Sequence, residues 1–151
     1  MPEENSPQLN DLLQQAQAAR LANQLDLAAR LLGVAFEKHP DALPVAKELA
    51  LLHQQRGEWP EARDCLELIL AQEPHNTQAL NALGMAWQAQ SDLPKAIEYW
   101  QKAVSLNPEY TDVWQNIALA HEHLNQLPEA IAAHQKVVTL RPYDSKAHRL
   151  L

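Results

Sequence analysis

The chain has 151 residues, 46% of them hydrophobic, and its 12 basic and 19 acidic residues give a formal net charge of −7. This acidic balance disfavours nucleic acid and anionic membranes as partners and mildly favours basic proteins. The single cysteine excludes an internal disulfide. The acidic, polar N-terminus does not resemble a signal peptide, and no apolar run approaches the roughly 18 residues of a membrane-spanning helix. We therefore expect a cytoplasmic protein.

Proline and alanine recur every 34 residues along the chain. The prolines are Pro40, Pro74, Pro108 and Pro142, and the alanines are Ala28, Ala62, Ala96 and Ala130. This period is typical of a helix–turn–helix repeat, which cannot bury its apolar face alone and must stack on its neighbours. The sequence therefore predicts an all-α fold.

In chain order, the period gives a short N-terminal extension, four tandem segments and a short C-terminal segment. These span residues 1–8, 9–42, 43–76, 77–110, 111–144 and 145–151. Ser6 and Pro7 predict the start of the first helix, because serine caps helices and proline is tolerated in the first turn. Residues 1–5 are expected to be frayed.

A polar break divides each segment into two helices, and Gly or Asn at such a break suits a left-handed C-terminal cap. The breaks are Asn23-Gln24, Gly57-Glu58, Ser91-Asp92 and Asn125-Gln126. The repeated proline then ends each second helix. Residues 145–151 could add a short ninth helix, as a minimal cap or as the start of a truncated fifth repeat.

Large and small residues alternate in a fixed order within residues 77–110. They are Leu80, Leu83, Gly84, Trp87, Ala96, Trp100, Ala103 and Pro108. This order resembles the tetratricopeptide repeat, and the resemblance extends over all four segments, hereafter repeats 1 to 4. It implies a right-handed α-solenoid in which small residues let paired helices approach closely. It also implies a concave groove, lined by the first helix of each repeat, that binds a peptide or helix of a partner protein.

By that resemblance, equivalent positions of each first helix face the groove. The candidate partner-binding residues are Lys47, Glu48, Leu51, Gln78, Asn81, Met85, Asp112, Gln115, Asn116, Leu119 and Glu122. Related positions carry Asn10, Leu13, Gln14, Gln17 and Pro44. The set combines apolar residues, acids, and amides that can bind a peptide backbone. We expect an amphipathic, net-basic protein or peptide partner. The alternative for Leu51, Met85 and Leu119 is partial burial between neighbouring helices.

Some members of the family hold the C-terminal carboxylate of a chaperone with a clamp of Lys, Asn, Asn, Lys and Arg. Of these five residues only the first is matched here, by Lys47. A role as a cochaperone of that kind is therefore disfavoured.

Catalytic or metal chemistry is weakly indicated. His121 and His123 stand two residues apart on nearly opposite helix faces, whereas a zinc-binding helix needs a spacing of four. His121 and His134 occupy core positions, so we expect half-buried imidazoles that pack or hydrogen-bond each other. A two-histidine metal or pH-sensitive site is the alternative. Cys65 is interpreted as inert, and we expect no catalytic, cofactor-binding or metal-binding residue.

Two functions stay open at this stage. The first is a protein-interaction module or scaffold without enzymatic activity. The second is the N-terminal repeat region of a larger enzyme, such as a transferase or hydroxylase, in which the repeats position substrate or mediate oligomerisation. Self-association into a homo-oligomer also stays open.

Overall fold

The computed structural model describes residues 7–141, and these form eight α-helices without any β-strand. The helices are α1 (Pro7–Leu21), α2 (Leu25–Lys38), α3 (Leu43–Arg56), α4 (Trp59–Gln72), α5 (Thr77–Ala89), α6 (Leu93–Leu106), α7 (Thr111–His123) and α8 (Leu127–Leu140). The predicted all-α fold is confirmed. The Ser6 cap, the frayed residues 1–5, Pro142 and the predicted ninth helix at 145–151 lie outside the described residues.

The helices follow the sequence period closely. The second helices of the four repeats begin at Leu25, Trp59, Leu93 and Leu127, each 34 residues after the one before. The first helices α3, α5 and α7 keep the same spacing, whereas α1 begins earlier in its repeat and is 15 residues long.

The four turns inside the repeats share one backbone geometry. A residue one or two positions after each first helix has a positive φ, with Asn23 at 59°, Gly57 at 72°, Ser91 at 63° and Asn125 at 57°. In repeat 2, the Gly57 N–H donates to the Gln54 carbonyl at 3.1 Å and the Glu58 N–H donates to the His53 carbonyl at 2.8 Å. This Schellman pairing recurs in every repeat and satisfies carbonyls at the helix end. The predicted polar breaks are therefore the helix caps.

Ser91 is the capping residue whose substitution should stabilise the chain. A left-handed backbone strains a residue that has a Cβ, so Ser91→Gly should raise the free energy of unfolding by ~0.5–1 kcal/mol. The reciprocal change, Gly57→Ser, should lower it by a similar amount. Urea unfolding followed by circular dichroism measures both. Shifts of the same sign would contradict the role of the left-handed cap.

Prolines bracket the second helices as expected. The helices α4, α6 and α8 carry Pro60, Pro94 and Pro128 in their first turn, where the backbone N–H has no partner inside the helix. The helices α2, α4 and α6 each end two residues before a repeated proline. The chain therefore turns into the next repeat where the sequence predicts.

Small residues line the packing of the paired helices. Ala28, Ala62, Ala96 and Ala130 of the second helices are all buried. The equivalent small residues of the first helices, Ala16, Ala50, Gly84 and Ala118, are buried as well. A Cβ built on Gly84 would lie 2.5 Å from Cδ1 of the fully buried Trp100 indole. Repeat 3 therefore holds its tryptophan only because the facing residue is a glycine.

The described residues divide into an N-terminal half, which ends at residue 74, and a C-terminal half, which begins at residue 75. The N-terminal half contains α1 to α4 and two buried clusters, one around Ala16, Ala28 and Leu32 and the other around Leu9, Ala35 and Val45. The C-terminal half contains α5 to α8, and its largest fully buried side chains are Trp100, Leu83 and Val113.

Candidate functional site

Three of the predicted partner-binding residues, Lys47, Glu48 and Leu51, lie on α3 in the N-terminal half. The other eight lie on α5 and α7 in the C-terminal half. Each half therefore carries its own part of the predicted surface on its first helices.

In the N-terminal half, α1 and α3 line a cavity of about 320 Å³. Its lining residues are Asn10, Leu13, Gln14, Gln17, Pro44, Lys47 and Glu48. The structure thus brings Lys47 and Glu48 together with five residues that are not among the candidate partner-binding residues. All seven lining residues occupy groove-facing positions by the family resemblance, so the repeat register is the signal that could have identified the other five.

The charged groups of this cavity are already paired. The Lys47 ammonium lies 3.0 Å from a carboxylate oxygen of Glu73. Glu48 accepts a hydrogen bond from Nε of Arg20 at 3.3 Å. By contrast, no hydrogen bond among residues 7–141 engages the side-chain amides of Asn10, Gln14 and Gln17. These amides offer donors and acceptors to a bound polar chain.

Large apolar residues at one repeat position stay exposed. Leu51 is 43% exposed, and Met85 and Leu119 are each 37% exposed. Their chain neighbours Ala50, Ala86 and Ala118 are buried, so the helices themselves are firmly packed. The three side chains are therefore partly buried and partly accessible, which is compatible with a groove surface and with partial burial between neighbouring helices.

The predicted acids of the C-terminal half each face a base of the same chain. Asp112 accepts a hydrogen bond from Nη2 of Arg141 at 2.7 Å. Oε1 of Glu122 lies 2.7 Å from Nε2 of His134. The two carboxylates nevertheless keep 68% and 42% of their side-chain surface exposed. They remain reachable by a cation from outside.

The predicted amides of the C-terminal half differ in exposure. Gln78 and Gln115 are exposed, whereas Asn81 and Asn116 are half-buried. The Asn81 amide donates to the Tyr110 hydroxyl at 3.3 Å, and its backbone carbonyl accepts from the Trp100 indole at 3.2 Å. Asn81 therefore links α5 to α6 and to the start of α7, which favours a supporting role over direct contact with a partner.

The buried histidines hydrogen-bond to other side chains, which corrects the expectation that the two imidazoles hydrogen-bond each other. His121 Nδ1 lies 2.7 Å from Oε1 of Gln126, while His134 pairs with Glu122. The reason is the helix cap. The Gln126 N–H donates to the His121 carbonyl, which places the Gln126 side chain beside the imidazole. Repeat 2 builds the same arrangement from His53 and Glu58, with 2.7 Å between Nδ1 and Oε2. These histidines therefore secure the turns.

Nothing in the described part of the chain assembles a metal-binding cluster of three or more His, Cys, Asp or Glu residues. Burial raises the pKa of the Cys65 thiol from 9.0 to about 11, and the nearby Asp64 carboxylate adds to this rise. The thiol is therefore protonated at neutral pH and is a weak nucleophile. The eight helices include none that is long and apolar enough to cross a membrane.

Comparisons with solved structures reveal the same fold in MamA proteins. One crystal structure of MamA shares 20% identity and a TM-score of 0.87, and the match covers 95% of this chain and 78% of that one. MamA from Desulfovibrio magneticus RS-1 shares 23% identity and a TM-score of 0.84, covering 95% of this chain and 80% of that one. MamA of MSR-1 shares 24% identity and a TM-score of 0.82, covering 89% and 77%. The predicted α-solenoid class is confirmed.

No curated protein sequence matches the chain. A family model, described as the tetratricopeptide repeat, matches residues 47–110 and 88–145, which together exceed half of the chain. The family and the fold support a protein-interaction scaffold with protein partners, and neither supports the alternative of an enzyme's N-terminal region. The chain belongs to the tetratricopeptide repeat family.

Proposed function

We propose that this chain binds a peptide or helix of a partner protein on the exposed side of its first helices. One observation carries the proposal: Leu51, Met85 and Leu119 occupy the same repeat position, and all three are exposed on helices whose neighbouring residues are buried. The fold does not bury these three large apolar side chains completely. Apolar residues that recur at one position of successive repeats and stay accessible mark a candidate surface for a partner.

The surroundings of these anchors favour an amphipathic partner. Methionine adapts its shape to a bound apolar side chain, and leucine fills a groove beside an apolar helix face. The exposed amides of Gln78 and Gln115 can bind polar groups next to such a face. In the N-terminal half, the amide-lined cavity of about 320 Å³ is large enough for a side chain and part of its backbone.

The exposed carboxylates favour a net-basic partner. Asp112 and Glu122 each use one oxygen to contact a side chain of the same protein, Arg141 and His134, and keep exposed surface for a cation of the partner. A carboxylate offers about four acceptor sites, so a lysine or arginine of a partner can share it. Because the Arg141 guanidinium already offsets part of the charge of Asp112, added salt should weaken binding only moderately.

A displayed library of random peptides, selected on the purified chain, tests the proposal. The selected peptides should be amphipathic and net basic, with micromolar affinity, or roughly −8 kcal/mol. Met85→Glu should weaken their binding at least ~10-fold, or about 1.4 kcal/mol, because an added charge would meet the apolar anchor. Fluorescence anisotropy measures the affinity, and circular dichroism confirms that the variant keeps its helices.

Leu106→Glu provides the matched control. Leu106 is also a large exposed apolar residue, but it lies on α6, a second helix. The substitution adds the same charge and should leave peptide affinity unchanged. Peptides that bind the Met85→Glu variant as tightly as the wild type would show that partners bind elsewhere. If acidic peptides were selected, this would contradict only the net-basic character of the partner and not the location of the binding surface.

A further inference from the structure

The outer side of α2 carries an exposed apolar face that the proposed function does not use. Leu27, Arg30, Val34 and Glu37 are spaced by three or four residues and therefore lie on one side of the helix. All four are exposed, with Leu27 at 39% and Val34 at 42%. Gly33 is exposed beside Val34. These five residues are called the α2 stripe below.

The repeat register shows that this apolar face is peculiar to repeat 1. The position of Leu27 is charged in the other repeats, as Glu61, Lys95 and Glu129. The position of Gly33 is occupied by Glu67, Gln101 and Gln135, and that of Val34 by Leu68, Lys102 and Lys136. The fold therefore forms with polar residues at most of these positions, so packing inside the chain does not require the α2 stripe to be apolar.

Gly33 is the second unusual feature of the α2 stripe. Glycine is a poor helix former, yet Gly33 lies within α2. A Cβ built on it would meet no atom within 4 Å, whereas a Cβ on Gly84 would collide with Trp100. Packing within this chain therefore does not require a glycine at position 33. A glycine would be required there if the backbone of another molecule approached this position closely, because a side chain would then be in the way.

The charged residues of the α2 stripe are arranged so that two copies of the stripe can attract each other. Arg30 stands three residues before Gly33, and Glu37 stands three residues after Val34. Neither forms an ion pair with any residue between 7 and 141. A two-fold axis passing between Gly33 and Val34 would set Arg30 of one copy opposite Glu37 of a second copy, and the reverse. Both contacts would then be attractive, as an isologous interface requires.

We propose that α2 pairs antiparallel with α2 of a second copy of this chain, with Gly33 and Val34 at the crossing point. The exposed Phe36 side chain adds apolar surface at the edge of this contact. One helix pair buries less than the ~1,200 Å² of a standard interface, so a weak dimer with a micromolar dissociation constant is expected. The dimer uses a second helix and is independent of peptide binding on the first helices.

Sedimentation velocity across micromolar concentrations tests the dimer through its charges. The wild type should show a population of dimer that increases with concentration. Arg30→Glu and Glu37→Arg should each weaken association at least ~10-fold, because like charges would meet at both contacts. An equimolar mixture of the two variants should restore association, because both contacts of the mixed dimer become attractive. Loss without restoration would overturn the proposed pairing.

A third variant separates association from folding. Gly33→Gln introduces the residue that repeats 3 and 4 carry at this position. It should raise the Tm by ~2–4 °C by removing a helical glycine, while it weakens the dimer by blocking close approach.

Lys136→Glu, an exposed charge reversal on α8, is the matched control for Arg30→Glu and should leave association unchanged. A chain that stays monomeric at every concentration would overturn the proposal.

Discussion

Gly84→Ala is expected to lower the free energy of unfolding by ~1–3 kcal/mol, although it adds a single methyl group. The new Cβ would lie 2.5 Å from Cδ1 and 2.6 Å from Cε2 of Trp100. The indole cannot easily move away, because it is fully buried and its Nε1 donates to the Asn81 carbonyl at 3.2 Å. The helices α5 and α6 would have to separate to accept the methyl group.

A double-mutant cycle isolates this contact. Trp100→Leu alone should cost ~2–5 kcal/mol through lost packing and the cavity it leaves. The combined variant carries alanine and leucine, which repeats 1 and 2 place at the same two positions, as Ala16 with Leu32 and Ala50 with Leu66. It should therefore be at least ~1 kcal/mol more stable than the sum of the single changes predicts. Urea unfolding measures all four proteins, and simple additivity would show that Gly84 and Trp100 do not constrain each other.

The sequence predicts the helices and turns of each repeat well, because the same pattern of residues occurs four times. Helix starts, polar caps and buried alanines all follow from the residue types at single positions. Ser91 adopts the left-handed cap although serine does not favour it, because the Schellman hydrogen bonds require that conformation. Gly57 and Asn125 favour the left-handed conformation, and because the turns are equivalent they also predict this conformation for Ser91.

The candidate site is predicted less completely, because its charges depend on side chains that lie far away along the chain, most of them in the same repeat. The repeat register places Leu51, Met85 and Leu119 at one equivalent position, and the structure leaves all three partly exposed. The sequence does not reveal that Asp112 pairs with Arg141, since the two are 29 residues apart and meet only once the helices pack. Side-chain pairing therefore modifies the predicted acidic character of the surface, whereas the apolar anchors are unaffected.

Ala96→Leu should destabilise the C-terminal half by ~1–3 kcal/mol or more, since it overfills a site with no free space. Ala96 is fully buried on α6, the helix that packs on α5 within repeat 3. A leucine adds three carbon atoms there, so neighbouring side chains must leave their preferred rotamers or the helices must separate. Chemical unfolding gives the magnitude, and hydrogen exchange should show the greatest loss of protection in α5 and α6.

Ala132→Leu is the matched control for this overpacking. Ala132 is exposed on α8, and leucine is a good helix former, so the same substitution should change stability by no more than ~0.5 kcal/mol. A difference between the two variants would assign the cost to the closed packing of the small residue and not to the helix itself. Equal effects would mean that Ala96 has space around it, and that the small residues repeated every 34 positions do not set the distance between paired helices.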